Sequence, residues 1–528
     1  MNSSEIVKRN LLLICIHVAA AASLTGIACA QDASPYGAAG WPIPANSVDA
    51  PVLATLQTHN LAMRPPCSDE VFIRRVFIDL IGTLPQPHDV RAFLQDTSSD
   101  KRAAMIDSLF QREEFVDYQT LKWCDLLRVK SEFPIKLWPN AVQAYHRWVR
   151  NCIRDNKPYD QFARELLTSS GSNFRVPPAN FYRAVQGRDP MAIAGAVALT
   201  FMGVRLDGWP EQKQAELAAF FSKVAYKGTR EWKEEIVYFD SSATEPLKVT
   251  FPDGSTTAIP AQQDPREVFA DWLTAPGNEW FAQALANRVW YWLMGHGIVH
   301  EPDDIRADNP PACPELLTLL SKELVGAKYD MRQLFRLILN SRTYQQSSVA
   351  TEPVPDSARF ACYTIRRLDA EVLIDALCWI GGKGEEYSSP IPEPFTFTPS
   401  TQRTIALADG SITSRFLESF GRPTRDTGLA SERSNTPSDA QRLYLINSTD
   451  VRQKIENSPQ LRKLSDSAAG DRSRLVGDLY LLLLSRHPTP SEQSAAEEYL
   501  RSSGLQGRQA FTDLAWALIN SKEFLCRH

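Results

Sequence analysis

The chain has 528 residues, of which 43% are hydrophobic and 23% charged, the composition of a globular protein with a full core rather than of a disordered or fibrous one. Its 57 Lys and Arg stand against 62 Asp and Glu, a formal net charge of −5, so no basic surplus is available for a phosphate backbone and the expected partners exclude nucleic acid. At roughly 100–200 residues per domain, a single small domain is excluded as well.

Residues 1–30 read as a secretory signal peptide. Lys8 and Arg9 precede an apolar run over 11–22, and small residues end in Ala28-Cys29-Ala30 before Gln31. The run is short for a bilayer span and contains His17, which favours cleavage over anchoring. No later run is long enough to cross a bilayer, so the expectation is an exported protein, periplasmic or extracellular, with no membrane span after signal cleavage. Of nine cysteines, Cys15 and Cys29 leave with the signal, and Cys67, Cys124, Cys152, Cys313, Cys362, Cys378 and Cys526 remain. No Cys-x-x-Cys or Cys-x-x-Cys-His occurs among them, which argues against zinc ribbons, thioredoxin-like motifs and attached haem, and no cofactor is expected. The odd count leaves room for one to three disulfides, while the apolar helical setting of most of these residues favours buried thiols.

Residues 31–66, rich in proline, read as an extended leader. Ser68 followed by Asp69 and Glu70 predicts a helix start, and a helical apolar period then runs to Gly82. Amphipathic stretches follow at 87–96, 100–112, 114–129, 139–155 and 158–169, then an all-round apolar run over 192–203 and a helix opened by Pro210. Together they make an N-terminal helical domain over 67–229. Between 230 and 262 the period falls toward two, with strands at 235–239, 247–251 and 256–259, and Asp253-Gly254 supplies a hairpin turn, which predicts a small β-ribbon. Helices resume at 264–274, 278–294, 313–326, 330–340, 368–380, 411–420, 437–447, 471–486, 491–503 and 506–520, a second helical domain over 263–528 interrupted by a proline-rich loop at 384–402. The expected fold is mainly α, two helical domains with the β-ribbon between them.

Two stretches carry a family resemblance. The run Phe72-Ile73-Arg74-Arg75-Val76-Phe77-Ile78-Asp79-Leu80-Ile81-Gly82 through Pro158-Tyr159-Asp160-Gln161-Phe162 resembles an exported planctomycete-type domain of unknown function, number fifteen forty-nine. Ala286-Asn287-Arg288-Val289-Trp290, Asp303-Asp304-Ile305-Arg306, Asn309-Pro310-Pro311, Asn340-Ser341-Arg342-Thr343-Tyr344 and Phe420-Gly421-Arg422-Pro423 resemble its companion, number fifteen fifty-three. The resemblance implies an exported bacterial protein of a kind often fused to cytochrome-c-like modules, with no established reaction. Where such relatives carry Cys-x-x-Cys-His-x-His-Pro, Leu206 here joins directly to Asp207-Gly208-Trp209, and where they carry Cys-x-Cys this chain has Gly428-Leu429-Ala430-Ser431. The resemblance therefore implies that a cysteine-histidine site has been lost, and that the two segments share one site in relatives.

His296 and His300, with Glu301, Asp303 and Asp304, form the densest cluster of metal-ligand types, but Gly297 and Pro302 break the helix that would align them, so no metal is expected. The bland reading is a polar loop in which Asp303 and Asp304 pair with Arg306 and Arg288. As an enzyme, the chain would be an exported hydrolase of polysaccharide or sulfated polymer, with Asp303, Asp304, Arg306 and Glu432 as catalytic candidates at the domain interface; adjacent carboxylates suit that chemistry badly. Arg288, Asn309, Arg422 and Arg433, in the family-like motifs, and Trp209, in the shortened loop, are the binding candidates. Since charges enter cores in pairs, a buried ion-pair network at the interface is the competing use of these residues. No Gly-x-Ser-x-Gly, phosphate loop or dinucleotide fingerprint is present. The functional expectation is a non-catalytic scaffold or interaction protein whose partner is a protein or an extracellular polymer.

Overall fold

A computed structural model describes residues 35–349, 356–392, 396–468, 470–503 and 507–528. The signal segment expected over 1–30 lies outside them. The helix predicted at Ser68 forms over Asp69–Val76, with the Ser68 hydroxyl accepting the Val71 N–H at 3.3 Å. It runs into a single π turn, Phe77–Ile81, that stops at Gly82. Gly82 has φ 61°, and a Cβ there would lie 2.6 Å from the Tyr118 ring, so both the backbone and the packing require glycine. Every residue from 71 to 82 is buried, including Arg74, Arg75 and Asp79.

The extended leader expected over 31–66 needs correction. Asp49–Thr58 is a helix, and Val48, Val52 and Leu56 are fully buried in the main core. Pro51 stands in its first turn, where no backbone N–H is required. The buried Asp49 carboxylate ties this helix down by accepting the N–H groups of Arg342 at 3.1 Å and Thr343 at 2.9 Å.

The β-ribbon is two separate antiparallel sheets. The first orders β1 (Gly171–Ser172), β3 (Glu235–Phe239) and β2 (Val224–Gly228) side by side; the second is the hairpin of β4 (Leu247–Thr250) and β5 (Thr256–Ile259), in the register Leu247 with Ile259. Gly254, at φ 86°, serves the turn of that hairpin. β1 and β2 lie in stretches read as helical domain.

Helix accounts for 53% of the described residues and strand for 7%, so the fold is mainly α. Most helices fall within a few residues of expectation, among them Glu113–Leu126, Pro139–Arg154, Glu279–Met294, Ala370–Gly381 and Arg472–Leu484. The helix expected over 411–420 is shorter, Arg415–Ser419, and two further helices, Thr449–Glu456 and Pro459–Ser467, start at capping hydroxyls of Ser448 and Ser458. All seven cysteines among the described residues are free. Burial pushes the Cys124 and Cys152 thiols up to about 12, which keeps them unreactive.

Two apolar clusters make the core. One gathers residues from Val48 to Tyr363 together with Leu481; the other gathers residues from Leu368 to Phe524 together with Ile78, Leu84, Tyr118 and Leu121. The Glu113–Leu126 helix feeds both, because Tyr118 and Leu121 belong to the second cluster while Trp123, Cys124 and Leu126 belong to the first. Lys122 sits between them.

Candidate functional site

Asp79 is a lone acid in the buried turn Phe77–Ile81, and a charge there persists only if it is paired. Its carboxylate accepts the Tyr363 hydroxyl at 2.6 Å and the Tyr344 hydroxyl at 2.9 Å, and pairs with Arg527 at 3.0 Å and Arg366 at 3.2 Å. Asp369, which precedes the Ala370–Gly381 helix, pairs with Arg527 at 2.7 Å and accepts the Asn435 amide at 2.7 Å and the Tyr118 hydroxyl. Two residues on, Glu371 receives Arg433 at 2.7 and 3.1 Å and lies 3.5 Å from Arg422. Arg433 also holds Asp125, which takes Arg425 on its other oxygen at 2.8 Å.

The electrostatics follow from this crowding. Burial pushes the Asp369 carboxyl up, but Arg527, Arg433 and Lys122 outweigh it and hold the group well below the usual range. Burial pushes the Tyr118 phenol up, so it stays a hydrogen-bond donor to Asp369. Burial pulls Arg433 and Arg527 down, and their carboxylate partners reverse the shift.

Lys122 is the exception. It is 7% exposed, and its Nζ has no hydrogen-bond partner. The ammonium lies 4.3 Å from the centre of the Tyr118 ring and 5.4 Å from that of Trp292. Burial is the largest influence and lowers its pKa to about 7; Asp369 and Asp79 hold it up, while Arg527 and Arg366 push it further down. Lys122 lines a cleft of about 440 Å³ whose wall also includes Trp292, Arg366, Asp369, Arg433 and Asn435.

The residues singled out in the sequence are placed around this cleft in different ways. Arg433 lines it, as do His300, Glu301 and the 429–431 segment. Asp303 is fully buried and pairs with the equally buried Arg288 at 2.7 Å, and its second oxygen accepts the Ala430 N–H at 2.6 Å. Arg288 also donates to the Thr200 and Leu199 carbonyls. Asp304 and Asp308 flank the half-exposed Arg306 at 3.3 and 3.4 Å, while the Asn309 amide ties the His300 and Asp304 carbonyls together. Arg422 is buried against the Ile412 and Asp409 carbonyls and near Glu371. Glu432 accepts the backbone and hydroxyl of Thr427, each at 2.6 Å. Trp209 is half-buried against the main core. The His296 and His300 rings stack at 3.9 Å. Among the described residues no group of three or more His, Cys, Asp or Glu is placed to hold a metal ion. The segments around Gly203 and Ala430 meet one turn: the Gly203 carbonyl accepts the Ile305 N–H at 2.9 Å, and Ala430 donates to Asp303.

The cleft thus lies between an N-terminal part that supplies Asp79, Lys122 and Asp125 and a later part that supplies Arg366, Asp369 and Arg433. That division coincides with two family models: residues 47–225 match PSCyt2, a protein of unknown function (DUF1549), and residues 265–500 match PSD1, a protein of unknown function (DUF1553). The chain carries both domains in tandem. No curated protein and no solved structure matches it. In these terms the PSCyt2 segment contributes the unpartnered lysine with Asp79 and Asp125, the PSD1 segment contributes Asp369, Arg366 and Arg433, and Arg527, beyond the PSD1 match, joins the two. No described helix is long and apolar enough to cross a membrane.

Lys122, Asp79, Asp369 and Arg527 escaped the sequence reading. A signal was present for Asp79, a single charge inside the apolar run 76–81, but its partners Tyr344, Tyr363, Arg366 and Arg527 lie hundreds of residues away.

Proposed function

We propose that the chain is an exported, non-catalytic scaffold or interaction protein whose cleft between the PSCyt2 and PSD1 segments receives a partner, a protein or an extracellular polymer. One observation carries this reading: three carboxylates in and behind the wall are already paired, Asp125 with Arg425 and Arg433, Asp369 with Arg527, and Asp303 with Arg288. General acid–base catalysis needs a carboxyl that gives or takes a proton near working pH, and a carboxylate held well below its usual range, as Asp369 is, does not. The hydrolase alternative asks the same of Asp303, Asp304 and Glu432; the pairing of Asp303 with Arg288 and of Asp304 with Arg306 speaks against the first two, while Glu432 is held by Thr427 on one oxygen and has no partner on the other. Export is supported by the charged start, apolar run and small-residue end of 1–30. The kinship with cytochrome-associated planctomycete proteins, and the loss of their cysteine-histidine site, belong to the same reading. The meeting of the 203 and 430 segments at the 303–305 turn supports a shared place for that site.

The test is incubation of the chain from Gln31 onward with polysaccharides and sulfated polymers, reading released reducing ends and free sulfate, alongside metal analysis and a visible spectrum. No release, no stoichiometric metal and no colour are expected. Release abolished by Glu432→Gln, or bound metal abolished by His296→Ala, would overturn the proposal.

A further inference from the structure

The charges beneath the cleft do not balance. Three cations, Lys122, Arg366 and Arg527, face two carboxylates, Asp79 and Asp369. Arg366 and Arg527 occupy Asp79, Arg527 also takes Asp369, and the remaining acceptor positions go to Tyr344, Tyr363, Tyr118 and Asn435. Lys122 is left with two aromatic faces and no oxygen. Elsewhere in this interface each arginine has found a carboxylate or a carbonyl, so an unserved ammonium at the wall of a 440 Å³ cleft is a departure from the pattern around it. A buried charge without a partner costs several kcal/mol, and the protein either sheds the proton or takes its counter-ion from outside.

We propose that the cleft binds a small hydroxylated organic anion, a carboxylate or a sulfate ester, whose charged group pairs with Lys122. The wall carries Lys122, Arg366, Arg433 and Arg527 against Asp125, Glu301 and Asp369, a surplus of positive charge, while Ser431, Ser434, Asn435 and Thr436 offer hydroxyl and amide groups and Trp292 offers an apolar face. The flexible lysine stem turns Nζ from its two rings to the incoming oxygens. Binding takes up a proton, because an anion beside the amine restores its charge. The groups that set this balance are Asp79 on its π turn, Arg366, Asp369 ahead of the Ala370–Gly381 helix, and Arg527, with Tyr118 and Trp292 as the uncharged neighbours. The inference rests on the preceding one only in treating the cleft as receptive.

Calorimetric titration of the full chain with D-glucuronate and with D-glucose 6-sulfate, against D-glucose as the neutral control, tests it. Each is run at pH 8 in two buffers of different ionisation enthalpy. The expected result is saturable binding of at least one anion, about tenfold or more tighter than glucose, with uptake of close to one proton per site. Affinity should fall about tenfold per pH unit above 7, where the free amine is neutral. Lys122→Met should lose both the binding and the uptake. Binding of glucuronate alone assigns a carboxylate, and of the sulfate ester alone a sulfate. No anion binding, glucose binding as tight, zero proton uptake, or unchanged binding in a folded Lys122→Met protein would overturn the proposal. The pH dependence of the unmodified chain needs no variant. Conversion of either probe, seen by NMR of the recovered ligand, would overturn the non-catalytic reading while leaving the Lys122 site standing.

Discussion

Replacing Lys122 with Met should stabilise the protein, and by an amount that depends on pH in a defined sense. Methionine keeps the length and apolar character of the stem and removes the amine. Burial lowers the lysine pKa from 10.5 to about 7, and at ~1.4 kcal/mol per unit the folded state disfavours the charged form by about 5 kcal/mol. Between pH 7 and 10.5 the unfolded chain holds a proton that the folded chain has lost, so stability rises with pH through that window. The penalty is fully present below 7 and gone above 10.5. Lys122→Met lacks it at every pH, and the other ionisable groups, common to both proteins, largely cancel in the comparison. The stability gained by the substitution should therefore be about 4 kcal/mol larger at pH 6 than at pH 10. Urea unfolding followed by tryptophan fluorescence, on both proteins at both pH values, measures it. An equal gain at the two pH values, or a loss at pH 6, would show that the amine has a partner and would refute the charge imbalance.

Arg433→Met removes a guanidinium shared by Glu371 and Asp125 and leaves Glu371 buried with only Arg422 nearby; a loss of about 3–5 kcal/mol is expected, read as a fall in the urea midpoint. Gly82→Ala forces a Cβ onto a left-handed backbone and into the Tyr118 ring, and should cost about 1–3 kcal/mol, seen as a lowered melting temperature. Thiol titration of the chain from Gln31 onward, denatured without reductant, should find seven reactive groups, whereas five or fewer would reveal a disulfide. In the native protein Cys124 and Cys152 should resist the reagent at neutral pH.

Helix starts were legible wherever a capping residue preceded an apolar period, as at Ser68, and the β4–β5 turn was legible in Asp253-Gly254. The Asp49–Thr58 helix was hidden because its surrounding prolines suggest extended chain, although Pro51 occupies a position where proline is harmless. The helices from Thr449 and Pro459 are short and polar, so their period was faint, and only the capping serines announced them. The mainly α class survived these misses because long amphipathic segments dominate the chain.

The interface was half legible. Arg288, Arg422 and Arg433 stood in recognisable motifs, and all three enter buried ion pairs. Asp79 could be seen only as an isolated charge on an apolar stretch, and Lys122 as one charge on a helix, since Trp292, Asp369 and Arg527, which surround them, come from elements remote in sequence. Periodicity reports which face of a helix is buried, not which residues from elsewhere complete its charge balance.

Asp79 and Arg527, which pair at 3.0 Å, are 448 residues apart in the chain. During synthesis the acid emerges first, then Tyr344, Tyr363 and Arg366, and Arg527 only 448 residues after the acid. Until then the helix and π turn over 69–81 hold a carboxylate without its full set of counter-charges, and burying it is unfavourable. The early helices cannot settle into their final packing ahead of the late ones, so the two segments mature as one cooperative unit rather than in the order in which they are made.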